Sequence, residues 1–254
     1  MNEMKRLRKL ALEGDAEAGC ELGLMYENGE GVRQDYKEAE RWYRLFAERG
    51  DHVAQLYLGG LYYEGDGVRQ DYKEAMRWFR LSADQGNMHA QFLIGGMYFD
   101  GEGTRLDHEE AARWYRLSAE QGDPVAQFNL GIMHEAGDGV PQSDEEAVRW
   151  FRLSADQGDP AGQNALGFMC QAGKGGCEQS HEEAVRLFLL AAEQDDENAQ
   201  YNLGEAYENG WGVPQDYVTA AEWYLLAYEQ GCEEADDALR RLEDEGHVVF
   251  EDEL

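Results

Sequence analysis

Residues 53–86 read VAQLYLGGLYYEGDGVRQDYKEAMRWFRLSADQG. In the first half Ala54, Leu58 and Tyr62 stand four apart, the spacing of one helical stripe, and Gly65 stops the helix before a Gly-Asp-Gly turn at 65–67. In the second half Tyr72, Ala75, Trp78, Phe79, Ser82 and Ala83 follow the helical period, with Asp71 placed to cap the start and Gly86 to end it. The stretch predicts an αα-hairpin. Gly59 lies inside its first helix, where glycine costs about 1 kcal/mol relative to alanine. Its return in every unit predicts that a neighbouring helix packs directly on the backbone there.

The hairpin repeats along the chain. Gly50, Gly86, Gly122 and Gly158 stand 36 residues apart, as do Trp42, Trp78, Trp114 and Trp150, and as do Gly23, Gly59, Gly95, Gly131 and Gly167. After a one-residue insertion near Gly176 the phase resumes with Gly204, Trp223 and Gly231. A period of this size predicts a stacked solenoid, in which each unit buries its apolar face only against its neighbours.

Composition agrees with a folded array. Of 254 residues, 43% are hydrophobic and only 4 are proline, enough apolar material for a long core and too little proline for a linker-rich chain. No run approaches 18 apolar residues, which excludes a membrane-spanning helix on length. The start, MNEMKRLRKLALEG, lacks the apolar stretch of a secretory signal, so cytoplasmic residence is expected, with the periplasm or secretion as the alternative if a signal was trimmed. The final EDEL reads as an acidic tail. Four cysteines, Cys20, Cys170, Cys177 and Cys232, are too sparse for a disulfide framework and are expected as free thiols, although Cys170 and Cys177 are near enough to pair.

The recurrent residues resemble the Sel-one-like repeat, a relative of the tetratricopeptide repeat. One unit carries the pattern as Ala90, Ile94-Gly95, Tyr98, Gly101-Glu102-Gly103-Thr104, Asp107, Ala111, Trp114-Tyr115, Ala119 and Gly122, and five others carry it comparably. The resemblance implies an all-α fold, a right-handed superhelical solenoid of six units at 15–50, 51–86, 87–122, 123–158, 159–195 and 196–231 in a single domain. Residues 1–14 then form an N-terminal capping helix, and 232–254 a C-terminal cap with the acidic tail. The fifth unit departs most. Cys170 replaces tyrosine, Leu187 replaces tryptophan, Asp195 replaces the closing glycine, and the turn AGKGGCEQS is longer. Its loop and its joint to the sixth unit are expected to be the least regular.

Charge is the second informative feature. The chain has 53 acidic and 22 basic residues, a formal net charge of -31. Arg41, Arg77, Arg113, Arg149 and Arg186, with Arg44, Arg80, Arg116 and Arg152, form two columns on the second helices. Acids sit at helical spacing from them, such as Glu38 before Arg41 and Asp84 after Arg80, which predicts a solvated outer face of ion pairs. The first helices, at 16–28, 52–64, 88–100, 124–136, 160–172 and 197–209, contain no Lys or Arg. They do contain Glu17, Glu21, Glu27, Glu64, Asp100, Glu135, Glu205 and Glu208. The family resemblance implies that first helices line the concave surface, which is then acidic and apolar. Phosphate binding needs cations at the site, so nucleic acid and anionic membranes are poor partners and a cationic protein or peptide is favoured.

Columns that vary between units are free to answer to a ligand. Tyr57, Tyr63, Phe99, Phe168 and Glu208 are candidate contacts, aromatic side chains beside polar ones being common hot spots. Glu64, Asp100, Glu135 and Glu205 add the charge, and replacing Glu64, Asp100, Glu135 and Glu208 by Lys is expected to slow association while leaving stability nearly unchanged. Sealing of adjacent units is an equal alternative for the aromatics. Trp211 occupies a turn slot and is expected to fold over the joint to the C-terminal cap or to meet a partner.

Signals for catalysis are weak. His108-Glu109-Glu110 and His181-Glu182-Glu183 begin like a zincin motif, but Ala112 and Val185 stand where the second histidine belongs. Ala172-Gly173-Lys174-Gly175 lacks the spacing and hydroxyl of a phosphate loop, and Cys170, Cys177 and His181 have no fourth zinc ligand. No cofactor, no metal and no enzymatic activity are expected. The resemblance implies an adaptor or scaffold that binds a protein partner, and the alternative is a bacterial immunity protein that neutralises a basic secreted toxin; the sequence leaves the oligomeric state open, with a monomer favoured.

Overall fold

The computed structural model describes residues 3–249, so the acidic ending EDEL lies outside the described residues. The described residues form fourteen α-helices and no strand. First helices are α2 (Ala16–Asn28), α4 (His52–Glu64), α6 (Met88–Asp100), α8 (Pro124–Ala136), α10 (Pro160–Ala172) and α12 (Glu197–Asn209). Second helices are α3 (Tyr36–Ala47), α5 (Tyr72–Ala83), α7 (His108–Glu120), α9 (Asp144–Asp156), α11 (His181–Ala192) and α13 (Tyr217–Glu229). Helix α1 (Glu3–Glu13) precedes the first hairpin and α14 (Glu233–Asp244) follows the last.

Local chemistry sets the boundaries. Asp51 caps α4 by accepting from the Ala54 N–H at 2.8 Å, and Asp71 caps α5 by accepting from the Lys73 and Glu74 N–H groups. Gly65 closes α4 in the left-handed region at φ 86°, where a side chain is strained. Gly86, expected to end α5, instead lies beyond the helix end at Ala83 and makes the left-handed turn into α6.

The helices cluster in two compact units, one up to Asp123 with α1–α7 and one from Pro124 with α8–α14. In the first unit each helix packs on the next, and α2 also touches α4; in the second the same holds, with α8 touching α10. Buried Ala54, Leu58 and Leu61 of α4 join Tyr43, Phe46 and Trp78 in one core of the first unit. Ala184, Phe188, Ala191, Ala199 and Leu203 do the same between α11 and α12 in the second. A methyl group on Gly59 would stand 2.5 Å from the Phe79 ring, and Gly131 meets Phe151 at the same distance. The neighbouring helix expected to pack on the mid-helix glycine is thus the hairpin's own second helix, which lays an aromatic ring on the glycine backbone.

Two glutamine columns tie the units internally. Gln55 is buried, donates to the Ala47 carbonyl at 3.1 Å and accepts from Gln85 at 2.8 Å. Equivalent side-chain bonds join Gln121 to Gln91, Gln157 to Gln127, Gln194 to Gln163 and Gln230 to Gln200. In the turn, Gln70 donates to the Tyr63 carbonyl, as Gln142 does to Glu135 and Gln215 to Glu208.

The fifth hairpin corrects two expectations. Cys170 and Cys177 are joined in a disulfide, leaving Cys20 and Cys232 as the free thiols. The joint to the sixth hairpin is regular: Asp195 adopts the left-handed φ of 63° that glycine takes elsewhere, and Asp196 N–H reaches the Ala191 carbonyl at 3.2 Å as Asp159 N–H reaches Ser154. Aspartate tolerates that region better than most residues.

Candidate partner-binding surface

Each first helix turns one stripe to solvent, at spacing i, i+4, i+7, i+11. In the first unit it comprises Glu17, Glu21, Leu24 and Asn28 of α2, then Val53, Tyr57, Gly60 and Glu64 of α4, then His89, Leu93, Gly96 and Asp100 of α6, and every one of them is exposed or half-buried. The stripe carries four exposed carboxylates, Glu17, Glu21, Glu64 and Asp100, and no Lys or Arg. Gly60 has open space above its backbone, which leaves a hollow in the middle of α4.

The second unit differs. Its stripe comprises Val125, Asn129, Ile132 and Ala136 of α8, Ala161, Ala165, Phe168 and Ala172 of α10, and Asn198, Asn202, Glu205 and Asn209 of α12. Val125, Ile132 and Phe168 are 45%, 39% and 50% exposed. Its one carboxylate, Glu205, is half-buried, and burial, with the nearby Glu208 charge, raises its pKa above the usual value against the pull of Arg241. Along this stripe the exposed carboxylates lie in the first unit; in the second, α8 and α10 present mainly apolar side chains, and α12 presents Asn198, Asn202 and Asn209 around Glu205.

Of the candidate residues, Tyr57, Glu64, Asp100, Phe168 and Glu205 fall on these stripes. Tyr57 also stacks on Tyr43, with ring centres 5.1 Å apart. Tyr63, Phe99, Glu135 and Glu208 share a different, half-buried column. Tyr63 donates to Glu102 at 2.5 Å and meets the Tyr72 ring edge-on, so it seals the joint between two hairpins. Phe99 stacks on His108 at 4.7 Å. Glu208 accepts from the Tyr224 hydroxyl at 2.6 Å and from Arg241 at 2.8 Å, pinning α14 to α12. Glu27 accepts from Tyr43 at 2.7 Å in the same way. Glu208 is therefore engaged inside the chain, and its replacement by Lys is no longer expected to be harmless.

Trp211 is a further correction. It is 36% exposed and stacks on His181 at the start of α11, 5.9 Å between ring centres, so the contact it makes is with the preceding hairpin. The sulfurs of Cys170 and Cys177, being bonded to each other, are not thiolate ligands, and among the described residues no group of three His, Cys, Asp or Glu is placed to hold a metal ion. Among the described residues no helix is long and apolar enough to cross a membrane.

The second helices carry the expected ion pairs. Arg41 pairs with Glu38 at 2.5 Å, Arg77 with Glu74 at 3.1 Å, Arg149 with Glu146 at 3.3 Å, Arg186 with Glu183 at 2.6 Å, and Arg113 with Glu110. Arg80 is an exception. It donates to the Tyr98 hydroxyl at 3.0 Å and lies over the Trp114 ring, instead of pairing with Asp84. Residues missed as candidates are Glu17, Glu21, Val125 and Ile132; the i, i+4, i+7, i+11 phase, set against buried Ala54 and Leu58, was the signal that located them.

No curated protein sequence matches the chain significantly. Among solved structures it is similar to a protective antigen of uropathogenic Escherichia coli with an SLR fold, at 34% identity and TM-score 0.87 over 96% of this chain. The chain spans about half of that protein, 52% of its length. It is also similar to a Sel1 repeat protein of Oxalobacter formigenes, at 28% identity and TM-score 0.76, over 84% of this chain and 85% of that one. An immunity protein of Pseudomonas aeruginosa shares the fold at 17% identity and TM-score 0.51, over 93% and 85%. The profile of the Sel1 repeat matches six times, at 16–51, 52–87, 89–123, 124–159, 160–196 and 198–232. With all six hairpins so matched, the chain belongs to the Sel1 repeat family, α-solenoid repeat proteins that serve as protein-interaction modules and generally as non-enzymatic scaffolds.

Proposed function

We propose that the chain is a non-enzymatic adaptor whose first unit binds a cationic segment of a protein partner along the stripe of α2, α4 and α6. The observation that carries this reading is the set of four exposed carboxylates, Glu17, Glu21, Glu64 and Asp100, on a surface with no Lys or Arg. Like charges gathered on one face attract an oppositely charged segment and speed its association, an effect that weakens as salt screens it. The apolar stripe with Val125, Ile132 and Phe168 in the second unit offers a separate contact of the hot-spot kind.

The test is association of a lysine-rich peptide, followed by stopped-flow fluorescence. Glu64→Lys/Asp100→Lys slows it more than Glu109→Lys/Glu120→Lys, which makes the same change in net charge on the exposed face of α7. Equal slowing by the two variants means that only the overall charge acts, and sinks the reading. Neutralisation of a basic toxin would use the same stripe and is distinguished by stoichiometric inhibition of a toxin encoded beside the gene.

The paired cysteines favour an oxidising compartment over the cytoplasm. Trapping thiols in cells of the native host tests this. Two thiols labelled before reduction and four after agree with it, whereas four before reduction place the protein in the cytoplasm.

A further inference from the structure

Residues 5–9 hold four of the chain's 22 basic residues, its densest cationic segment. Lys5, Arg8, Lys9 and Leu12 share one exposed face of α1, at the spacing i, i+3, i+4, i+7, turned away from buried Leu7 and Ala11. Lys9 pairs with Glu13 at 3.7 Å, whereas Lys5 and Arg8 make no ion pair among the described residues. Leu12 is 71% exposed, so an apolar side chain stands beside three cations.

Helix α13 departs from the other second helices in the opposite direction. Where α3, α5, α7 and α9 each carry two arginines, such as Arg41 and Arg44, it carries Glu222 and Leu225, and it contains no Lys or Arg. An open groove of about 340 Å³ lies there, between α13 and residues 247–249. Its apolar lining is Val218, Ala221, Leu225, Val248 and Val249, of which Val218, Leu225 and Val249 are 59%, 42% and 83% exposed. Its polar lining is Glu222 and His247, the latter 3.4 Å from Glu245. Exposed Asp244 and Glu245 stand just before His247 in the chain. The arginines of α14 are already held, Arg240 by Asp236 and Arg241 by Glu208.

We propose that α1 of one copy of this chain docks in the groove beside α13 of a second copy. Leu12 enters between Val218, Leu225 and Val249, while Lys5, Arg8 and Lys9 meet Glu222, Asp244 and Glu245. The two faces complement each other in charge and in shape: cations around a protruding leucine, and carboxylates around an apolar hollow lined by no Lys or Arg. Because the contact joins two different faces, each copy keeps one of each free, and copies add head to tail. The contact uses neither stripe of the first helices, and so stands or falls separately from the binding of a cationic partner there.

The test is sedimentation equilibrium of the full chain in about 0.15 M salt, where a Debye length of about 8 Å screens the repulsion between chains of net charge -31. The average mass is expected to rise with concentration beyond that of a dimer. Lys5→Glu/Arg8→Glu and Glu222→Lys/Asp244→Lys are each expected to stay monomeric alone. An equimolar mixture of the two is expected to associate, because each reversed face then meets its opposite. Leu225→Arg, the residue that four other second helices carry at this position, is expected to abolish association of the otherwise unaltered chain. A monomer at every concentration, or a mixture no more associated than its components, overturns the proposal. So does loss of association in Glu64→Lys/Asp100→Lys, which would seat α1 on the acidic stripe instead.

Discussion

The Gln85 side chain donates to Gln55 Oε1 at 2.8 Å while Gln55 donates onwards to the Ala47 carbonyl, so one buried amide links the end of α3 to the end of α5. That carbonyl belongs to the last turn of α3, where no intrahelical donor remains. The carbonyl keeps the Gly50 N–H at 3.0 Å as a donor, so Gln55→Leu removes one of its two hydrogen bonds together with the bond from Gln85, and is expected to cost about 0.5–1.5 kcal/mol, or roughly 2–4 °C in Tm per kcal/mol. Gln85→Leu deprives the buried Gln55 Oε1 of its donor and is expected to cost about 1–3 kcal/mol. Thermal unfolding of both variants measures the two costs.

Two adjacent glycines are expected to respond with opposite sign. Gly59→Ala puts a methyl group 2.5 Å from the Phe79 ring and destabilises by about 1–3 kcal/mol in spite of alanine's helix propensity. Gly60→Ala meets open space and stabilises by up to about 1 kcal/mol. Denaturant midpoints of the pair measure both.

Acidic residues of the first helices divide by what they hold. Glu208→Lys removes the acceptor of Tyr224 and sets two cations together at Arg241, and is expected to cost about 2 kcal/mol. Glu64→Lys and Asp100→Lys alter exposed positions and stay within about 0.5 kcal/mol. Differential scanning calorimetry separates the two groups.

Glu205 gives the chain a pH dependence of known sign. Burial raises its folded pKa above the ordinary 4.5, so the protonated form is the one the fold favours. Its contribution is present below the unfolded pKa and lost as pH rises through the folded one, leaving the ionised group a cost at pH 7. Glu205→Gln is expected to raise Tm at pH 7, with the gain vanishing below about pH 4. A gain that persists at low pH contradicts this cause.

The architecture was legible because each boundary has a local cause. Asp caps and left-handed glycines place the first helices at 16–28 through 197–209, the bounds the structure shows. Properties that depend on distant atoms were not legible. Buried Gln55 looks like an outward polar residue until Gln85 and the Ala47 carbonyl are placed beside it. Tyr63 and Glu208 vary between units as a contact column would, yet each is held by a residue more than 15 positions away. Spacing alone did not decide whether Cys170 and Cys177 pair, because seven residues permit many turn geometries. The contrast between the carboxylates on the stripe of α2, α4 and α6 and the apolar stripe of α8 and α10 was present in the letters and became visible only once exposure singled out one stripe on each helix.

The most direct test of partner binding by the first-helix stripe is amide hydrogen exchange of the intact chain, with and without saturating lysine-rich peptide. Added protection confined to the exposed stripe segments of α2, α4 and α6, around Glu17, Glu21, Glu64 and Asp100, is the predicted result. Protection on α3, α5 and α7, where arginines and glutamates already pair, would contradict it.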